Sequence, residues 1–419
     1  MLYSLFTYLD EAYNLPGAGL FHFISFRASV TMILSLVISI TFGDKIINKL
    51  RRMQVGETVR ELGLQGQKEK EGTPTMGGLI IILAILFPVL LMANLDNTYV
   101  ILMVVVTAWL GGIGFVDDYI KVFRKNKKGL SGKFKLLGQV VLGLVVGITM
   151  LQSDDIVVSM KPDLAQKEHY EVVKEIKTTT QSGTDEVTSV WVKAPVTNVP
   201  FLKSYDIDYT KILGFMGEPK ARSLVWLVFI PIVIFIVAGV SNSANLTDGL
   251  DGLATGLSAI MALVLAIFAY VASNKIAADY LNILYLPGSS ELVIYIAALF
   301  GATIGFLWHN SFPATVFMGD TGSLMLGGVI ASLAILLRKE LLLPILSGVF
   351  MVETFSVMIQ VSYFKYTRKK YGEGRRIFKM SPLHHHYQKL GMAEMKIATR
   401  FWIVGILLAI VTIMTLKIR

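Results

Sequence analysis

Four polar clusters interrupt a chain of 419 residues that is 54% hydrophobic and 16% charged, and their side chains are of the kinds that handle phosphates and hard cations. Asp117-Asp118 is followed by Lys121 and Lys133. Asn242 and Asn245 lead into Thr247-Asp248-Gly249-Leu250-Asp251-Gly252. Asn310 precedes Phe317-Met318-Gly319-Asp320-Thr321-Gly322-Ser323, and Pro382-Leu383-His384-His385-His386 forms the fourth cluster. Taken singly, Asp248 or Asp320 reads as a cap for the helix that follows, and the glycines read as turn residues. Asp117 and Asp118 do not fit that reading. They stand at the C-terminal, partially negative end of an apolar helix, where a carboxylate is unfavourable by about 0.3–1 kcal/mol, and they also repel each other. A cation removes the conflict. Magnesium suits the position, being held by one or two carboxylates with substrate phosphates and water.

The clusters complement one another. Glycines admit a ligand to the backbone and helix N-termini present N–H groups to anions, so the combination describes a diphosphate site made of metal and backbone donors. No Gly-rich Walker lysine signature is present. If a phosphate acceptor attacks a diphosphate, two unit charges about 4 Å apart repel by roughly 4 kcal/mol at an effective dielectric of about 20. A divalent ion and lysines would screen that approach, and a fixed site would supply the in-line geometry. The three histidines could form a solvated run, a reading that outranks a zinc site because no closed ligand set is visible. Glu353 falls within an apolar run, which marks it as a functional or buried-network residue, and Pro344 upstream is expected to bend its helix.

The elements that must carry these clusters are membrane helices. Apolar runs near 24–43, 77–95, 98–116, 134–151, 223–240, 253–273, 292–308, 323–337, 341–364 and 401–416 predict an all-α polytopic membrane protein of about ten spans. Residues 2–23, with Asp10, Glu11 and Pro16, read as an interfacial helix. The first basic residue is Arg27, so no cleaved leader is expected. Loops after the odd spans hold 24 Lys and Arg, whereas the short opposite loops hold Lys275, Arg338 and Lys339. The odd loops are therefore expected in the cytoplasm and both termini on the periplasmic side. All four clusters lie in or beside odd loops. They are expected to share one face.

The loop 152–222 is an exception in length and charge, with 9 basic and 11 acidic residues, and is expected outside as an insertion in a single membrane domain spanning 1–419. Val- and Thr-rich stretches at 170–181 and 186–196 around Ser182-Gly183-Thr184-Asp185 predict a β-hairpin there. The net charge of +9 fits loops against an anionic leaflet better than nucleic acid. With no cysteine, a metal must be held by oxygen or imidazole. A transporter would set its polar groups near the midplane on broken helices, whereas these aspartates lie at span ends.

In these motifs, in their order and with Gly72-Thr73-Pro74-Thr75-Met76-Gly77-Gly78 ahead of them, the chain resembles the phospho-N-acetylmuramoyl-pentapeptide transferases, within the polyprenyl-phosphate N-acetylhexosamine-1-phosphate transferases. The resemblance implies a bacterial inner-membrane enzyme of peptidoglycan synthesis with its site on the cytoplasmic face. Its substrates would be UDP-N-acetylmuramoyl-pentapeptide and undecaprenyl phosphate, its products lipid I and UMP, its cofactor Mg²⁺, and its assembly a homodimer. It further implies that Asp320 is the principal metal ligand and that Asp117, with Asp118 beside it, takes the proton of the lipid phosphate. Asp248 and Asp251 would be essential carboxylates. Lys70, Gly249, Leu250, Asp251 and Phe317 would form the uridine pocket. Thr75, Asn242, Asn245, Asn310, Lys121, Lys133, His384, His385 and His386 would meet phosphates and the sugar-peptide. Direct attack and a two-step route through a phospho-aspartate at Asp320 both stay open. The insertion is longer than the family generally carries, and a sibling transferase moving an N-acetylhexosamine phosphate is the nearest rival.

Overall fold

The computed structural model describes residues 1–53, 72–126, 128–179, 185–199 and 206–417. Helix α1 (Leu2–Tyr13) precedes α2 (Ile24–Met53), α3 (Gly78–Met92), α4 (Thr98–Val122) and α5 (Gly132–Gln152). After the insertion come α6 (Trp226–Thr247), α7 (Leu253–Ala272), α8 (Glu291–Asn310) and α9 (Gly319–Leu336). The last three are α10 (Gly348–Tyr371), α11 (Leu383–Lys389) and α12 (Glu394–Met414).

Among the described residues, eight helices are long and apolar enough to cross a membrane, and a ninth span is broken, Glu340–Leu346 meeting α10 at 76°. The bend lies at Ser347, beyond Pro344, which opens the short helix Leu343–Leu346 instead of kinking α10. Helix α3, apolar throughout but only 15 residues long, spans about 22 Å at 1.5 Å per residue. Several helices outrun their apolar stretches. Helix α2 continues ten residues past Gly43 through a polar tail whose last turn holds Arg51 and Arg52, cations that suit a helix C-terminus. Helix α6 likewise carries Asn242 and Asn245 on its final turns.

Helix α9 is the hub. Its apolar window is 89% buried, and it packs on α4 and α6. Small residues permit this proximity: a Cβ on Gly114 of α4 would strike the backbone of Asp320, and one on Gly327 would lie 2.7 Å from Ser241 Cα.

The insertion forms the expected hairpin of β2 (Glu171–Thr179) and β3 (Asp185–Lys193), antiparallel, with Glu171 opposite Lys193. Its turn, 180–184, lies outside the described residues. Strand β1 (Val158–Met160) pairs with the other edge of β3, and β4 (Val196–Asn198) pairs with β5 (Asp206–Asp208). The turn after α9 fastens this unit. The Arg338 carbonyl accepts the Asn198 N–H at 3.1 Å, Lys339 Nζ donates to Asn198 Oδ1 at 2.7 Å, and Tyr209 Oη donates to Glu340 Oε1 at 2.9 Å. Burial, reinforced by the Glu340 carboxylate, pushes the Tyr209 phenol well above its ordinary range, so it stays a donor. Helix α9 therefore carries the insertion at its C-terminal end, about 27 Å from the Gly319 end.

Replacing Tyr209 by Phe leaves buried Glu340 Oε1 without that donor. We expect a loss of about 1–3 kcal/mol, read as a lower thermal midpoint of the purified protein. An unchanged midpoint would show that this bond does not hold the insertion.

Candidate functional site

Asp117 and Asp118 end α4, Asp320 begins α9, and the close packing of these helices brings the three carboxylates together. One ligand oxygen from each lies within 4.8 Å of the other two. Asp117 is fully buried and Asp320 partly so. Two ammonium groups bridge them. Lys121 Nζ is 2.5 Å from Asp117 Oδ2 and 3.1 Å from Asp320 Oδ2, and Lys135 Nζ is 3.0 Å from Asp117 Oδ1 and 2.5 Å from Asp320 Oδ2. Asn245 Nδ2 donates to Asp320 Oδ1 and to Ser323 Oγ, each at 2.8 Å. Three carboxylates thus face two cations, which leaves net negative charge for a metal ion to offset.

Asp118 has a different set of partners. It accepts the N–H groups of Asp320 and Thr321 at 3.1 and 2.8 Å and the Thr321 hydroxyl at 2.6 Å, so it caps the N-terminus of α9. This placement relieves the carboxylate at the end of α4 through the positive end of another helix. Gly319 makes it possible: its φ is +72°, and a Cβ there would lie 2.5 Å from Asp118 Oδ2. With its oxygens so engaged, Asp118 orients the cluster, and Asp117 and Asp320 are the carboxylates best placed to hold a hard cation.

A cavity of about 290 Å³ opens beside the cluster. Thr75, Asp118, Lys121, Asn245, Asp248, Gly249, Leu250, Asp251, Asn310, Phe317 and Asp320 all contribute to its wall, so four segments widely separated in sequence meet at one end of the bundle. Two of these residues are also structural. Asp251 Oδ2 accepts the Ala314 N–H at 3.0 Å, and Asn310 bridges Thr255 Oγ1 and the Val316 carbonyl at 2.8 and 3.0 Å. Phe317 is joined to the segment ahead of α3 through backbone bonds to Pro74 and Gly77, both 2.8 Å.

The histidine motif lies behind Gly249. His384 is wholly buried; Glu353, also wholly buried, accepts its backbone N–H at 3.2 Å and contacts ring Nδ1 at 3.1 Å. With the carboxylate as acceptor, Nδ1 carries the proton. Among the described residues Nε2 has no hydrogen-bond partner, and it faces Gly249, where a Cβ would collide with it. His385 Nδ1 meets Gln388 Oε1 at 2.7 Å, and His386 Nδ1 accepts the Lys379 N–H at 3.0 Å.

Two expected site residues stand elsewhere, and a third is not described. Asn242 donates to Gln139 Oε1 at 2.9 Å and to the Ala238 carbonyl, and it does not line the cavity. Lys133 is exposed, and Lys135 occupies the cluster. Lys70 lies outside the described residues. Lys135 and Glu353's bond to His384 were not foreseeable as such, although the Gly132-Lys133-Phe134-Lys135 run and the mid-span carboxylate were the signals.

The chain is 56% identical to a phospho-N-acetylmuramoyl-pentapeptide-transferase of Flavobacterium psychrophilum over 419 residues, with all of both chains covered. Relatives of the same description from Parabacteroides distasonis and Porphyromonas gingivalis are 55% and 53% identical, again over the whole of each chain. The chain belongs to the phospho-N-acetylmuramoyl-pentapeptide-transferase family. The first signature of that family matches residues 70–82, and the model of glycosyl transferase family 4 matches 187–338. Within this family's chain the signature supplies Thr75 to the cavity and Gly78 to the contact with α9.

Two variants separate the lysines. Lys135→Gln should lower turnover on the order of 10²-fold, the scale of a charge-stabilising group, and Lys133→Gln should leave it within about twofold; equal effects would contradict the assignment. Glu353→Gln should lower turnover while the protein still folds, because the amide can present its NH₂ to Nδ1 and change the tautomer. Full activity in that variant would detach Glu353 from the site.

Proposed function

We propose that this membrane transferase moves phospho-N-acetylmuramoyl-pentapeptide from its UDP carrier to undecaprenyl phosphate, giving lipid I and UMP. What supports the reading most is the meeting of Asp117, Asp320, Lys121 and Lys135 beside a cavity walled by the Asp248–Asp251 segment. The chain would cross the bacterial inner membrane ten times, with α3 and the broken pair completing the eight longer helices, both termini periplasmic and the site cytoplasmic. It would act as a homodimer.

Asp117 and Asp320 would hold Mg²⁺, with Asn245 fixing Asp320. The donor set fits, because hard carboxylate oxygens suit this ion and the cations nearby leave charge to be offset. When bound, Mg²⁺ neutralises phosphate charge. Lys121 and Lys135 would draw both phosphorylated substrates to the cluster. Asp117, as the acceptor's base, would take its proton. A lipid phosphate oxygen then bonds to the sugar-side phosphorus of the donor as the bridging P–O bond to UMP breaks. Phe317, Gly249 and Leu250 would receive the uracil, and Nε2 of His384 would steady the segment that holds it. Direct attack is favoured over a phospho-aspartate because Asp320, held between Lys121 and Lys135, would serve as the metal ligand and leave the lipid phosphate as the nucleophile.

The test supplies purified protein with undecaprenyl phosphate, Mg²⁺ and either UDP-N-acetylmuramoyl-pentapeptide or UDP-N-acetylglucosamine, and measures UMP. Release only with the muramoyl donor is expected. Release only with UDP-N-acetylglucosamine would assign the chain to the sibling reaction.

A further inference from the structure

A second charged recess lies against the C-terminal half of α10, between Gln360–Lys365 and the chain that follows the helix. Residues 372–382 double back and are tied to that helix by buried Gln360, whose Oε1 accepts the N–H groups of Ile377 and Phe378 at 3.0 Å each and whose Nε2 donates to the Phe378 carbonyl at 3.1 Å. Thr367 Oγ1 accepts the Arg375 N–H at 2.8 Å, and His386 Nδ1 holds the Lys379 N–H at 3.0 Å. The recess is therefore built by specific bonds at both of its ends. Its volume is about 550 Å³; Lys365, Arg376, Lys379 and Lys389 stand around it, Val361 and Phe364 form part of its floor, and no carboxylate lines it. Lys365, Arg376 and Lys379 form no ion pair among the described residues.

The shape of its surroundings indicates the ligand. From the recess an exposed apolar face continues down α10 through Met358 and Phe355, which are 56% and 47% exposed. A cationic basin above an apolar helix face matches a phosphate head joined to acyl chains, and poorly matches a nucleotide or a free peptide. The recess shares no lining residue with the carboxylate cavity, so a phosphate seated there is not against Asp117 and Asp320. We propose that it binds the head of an anionic diacyl phospholipid, as a site separate from donor and acceptor. Only the leaflet, the cytoplasmic one, rests on the topology given under Proposed function. Each basic residue near a membrane surface strengthens attraction of such a head about fivefold.

Native mass spectrometry of the full-length protein in neutral detergent tests this, with dioleoyl phosphatidylglycerol, dioleoyl phosphatidylcholine and undecaprenyl phosphate offered separately. The triple variant Lys365→Gln, Arg376→Gln, Lys379→Gln should lose retained phosphatidylglycerol on the order of 100-fold, keep its weak phosphatidylcholine binding, and release UMP as before in neutral micelles. A control triple variant of exposed residues on α2, Lys45→Gln, Lys49→Gln, Arg51→Gln, should keep phosphatidylglycerol. Should the first variant not accumulate, Arg376→Gln alone should lose about fivefold. Undiminished phosphatidylglycerol binding, an equal loss in the control, or a loss confined to undecaprenyl phosphate would each overturn the proposal. Failure of UMP release in the unmodified protein would instead strike the reading of the carboxylate site and leave the lipid result standing.

Discussion

The contact between the end of α4 and the start of α9 governs this molecule. Two carboxylates that would repel, Asp117 and Asp320, are held face to face by two ammonium groups. Asp118 secures the arrangement by capping α9, and its bonds to the Asp320 and Thr321 amides fix the direction in which the Asp320 side chain leaves the helix. Without that cap, the first turn of α9 would leave amides unsatisfied near the middle of a crowded helix junction. Energetically, then, the same group serves helix stability and site geometry.

Everything else follows from the burial of α9. A helix enclosed on all sides must meet its neighbours through small residues, and it transmits position from one end of the bundle to the other. Its first turn supplies Asp320 and its last leads to Arg338, Lys339 and Glu340, which fasten the insertion. The insertion is thus tied to the helix that carries the site, although among the described residues it lines no part of the site's cavity. At the opposite side of the cavity, Glu353 and His384 set a second buried anchor behind Gly249.

The long apolar helices, the hairpin and the gathering of polar clusters at one end of the bundle were legible in the sequence, because apolar length and β-prone composition are local properties. It also identified the carboxylate conflict at Asp117-Asp118. The partner that relieves Asp118 sits 202 residues away, and no local pattern points to it. Choosing between Lys133 and Lys135 failed for a geometric reason: two residues differ by about 200° around a helix, so only knowledge of the buried face of α5 decides which reaches Asp117. Asn242 and Asn245 lie only about 60° apart on α6, too close for spacing to tell which reaches the site, and one turns to Gln139 while the other turns to Asp320. Glu353 was legible as a buried polar residue, but its partner was not, since the loop that returns His384 has no periodicity to follow.

The central claim is that Asp117 and Asp320 form one cation site across two helices. Binding of Mn²⁺ to the purified full-length protein, followed by electron paramagnetic resonance as the free-ion signal disappears, measures it without substrate. Asp117→Asn and Asp320→Asn should each abolish binding, and Asp251→Asn, whose carboxylate is engaged with the Ala314 amide, should retain it. Undiminished Mn²⁺ binding in Asp320→Asn, or equal loss in all three, would contradict the account.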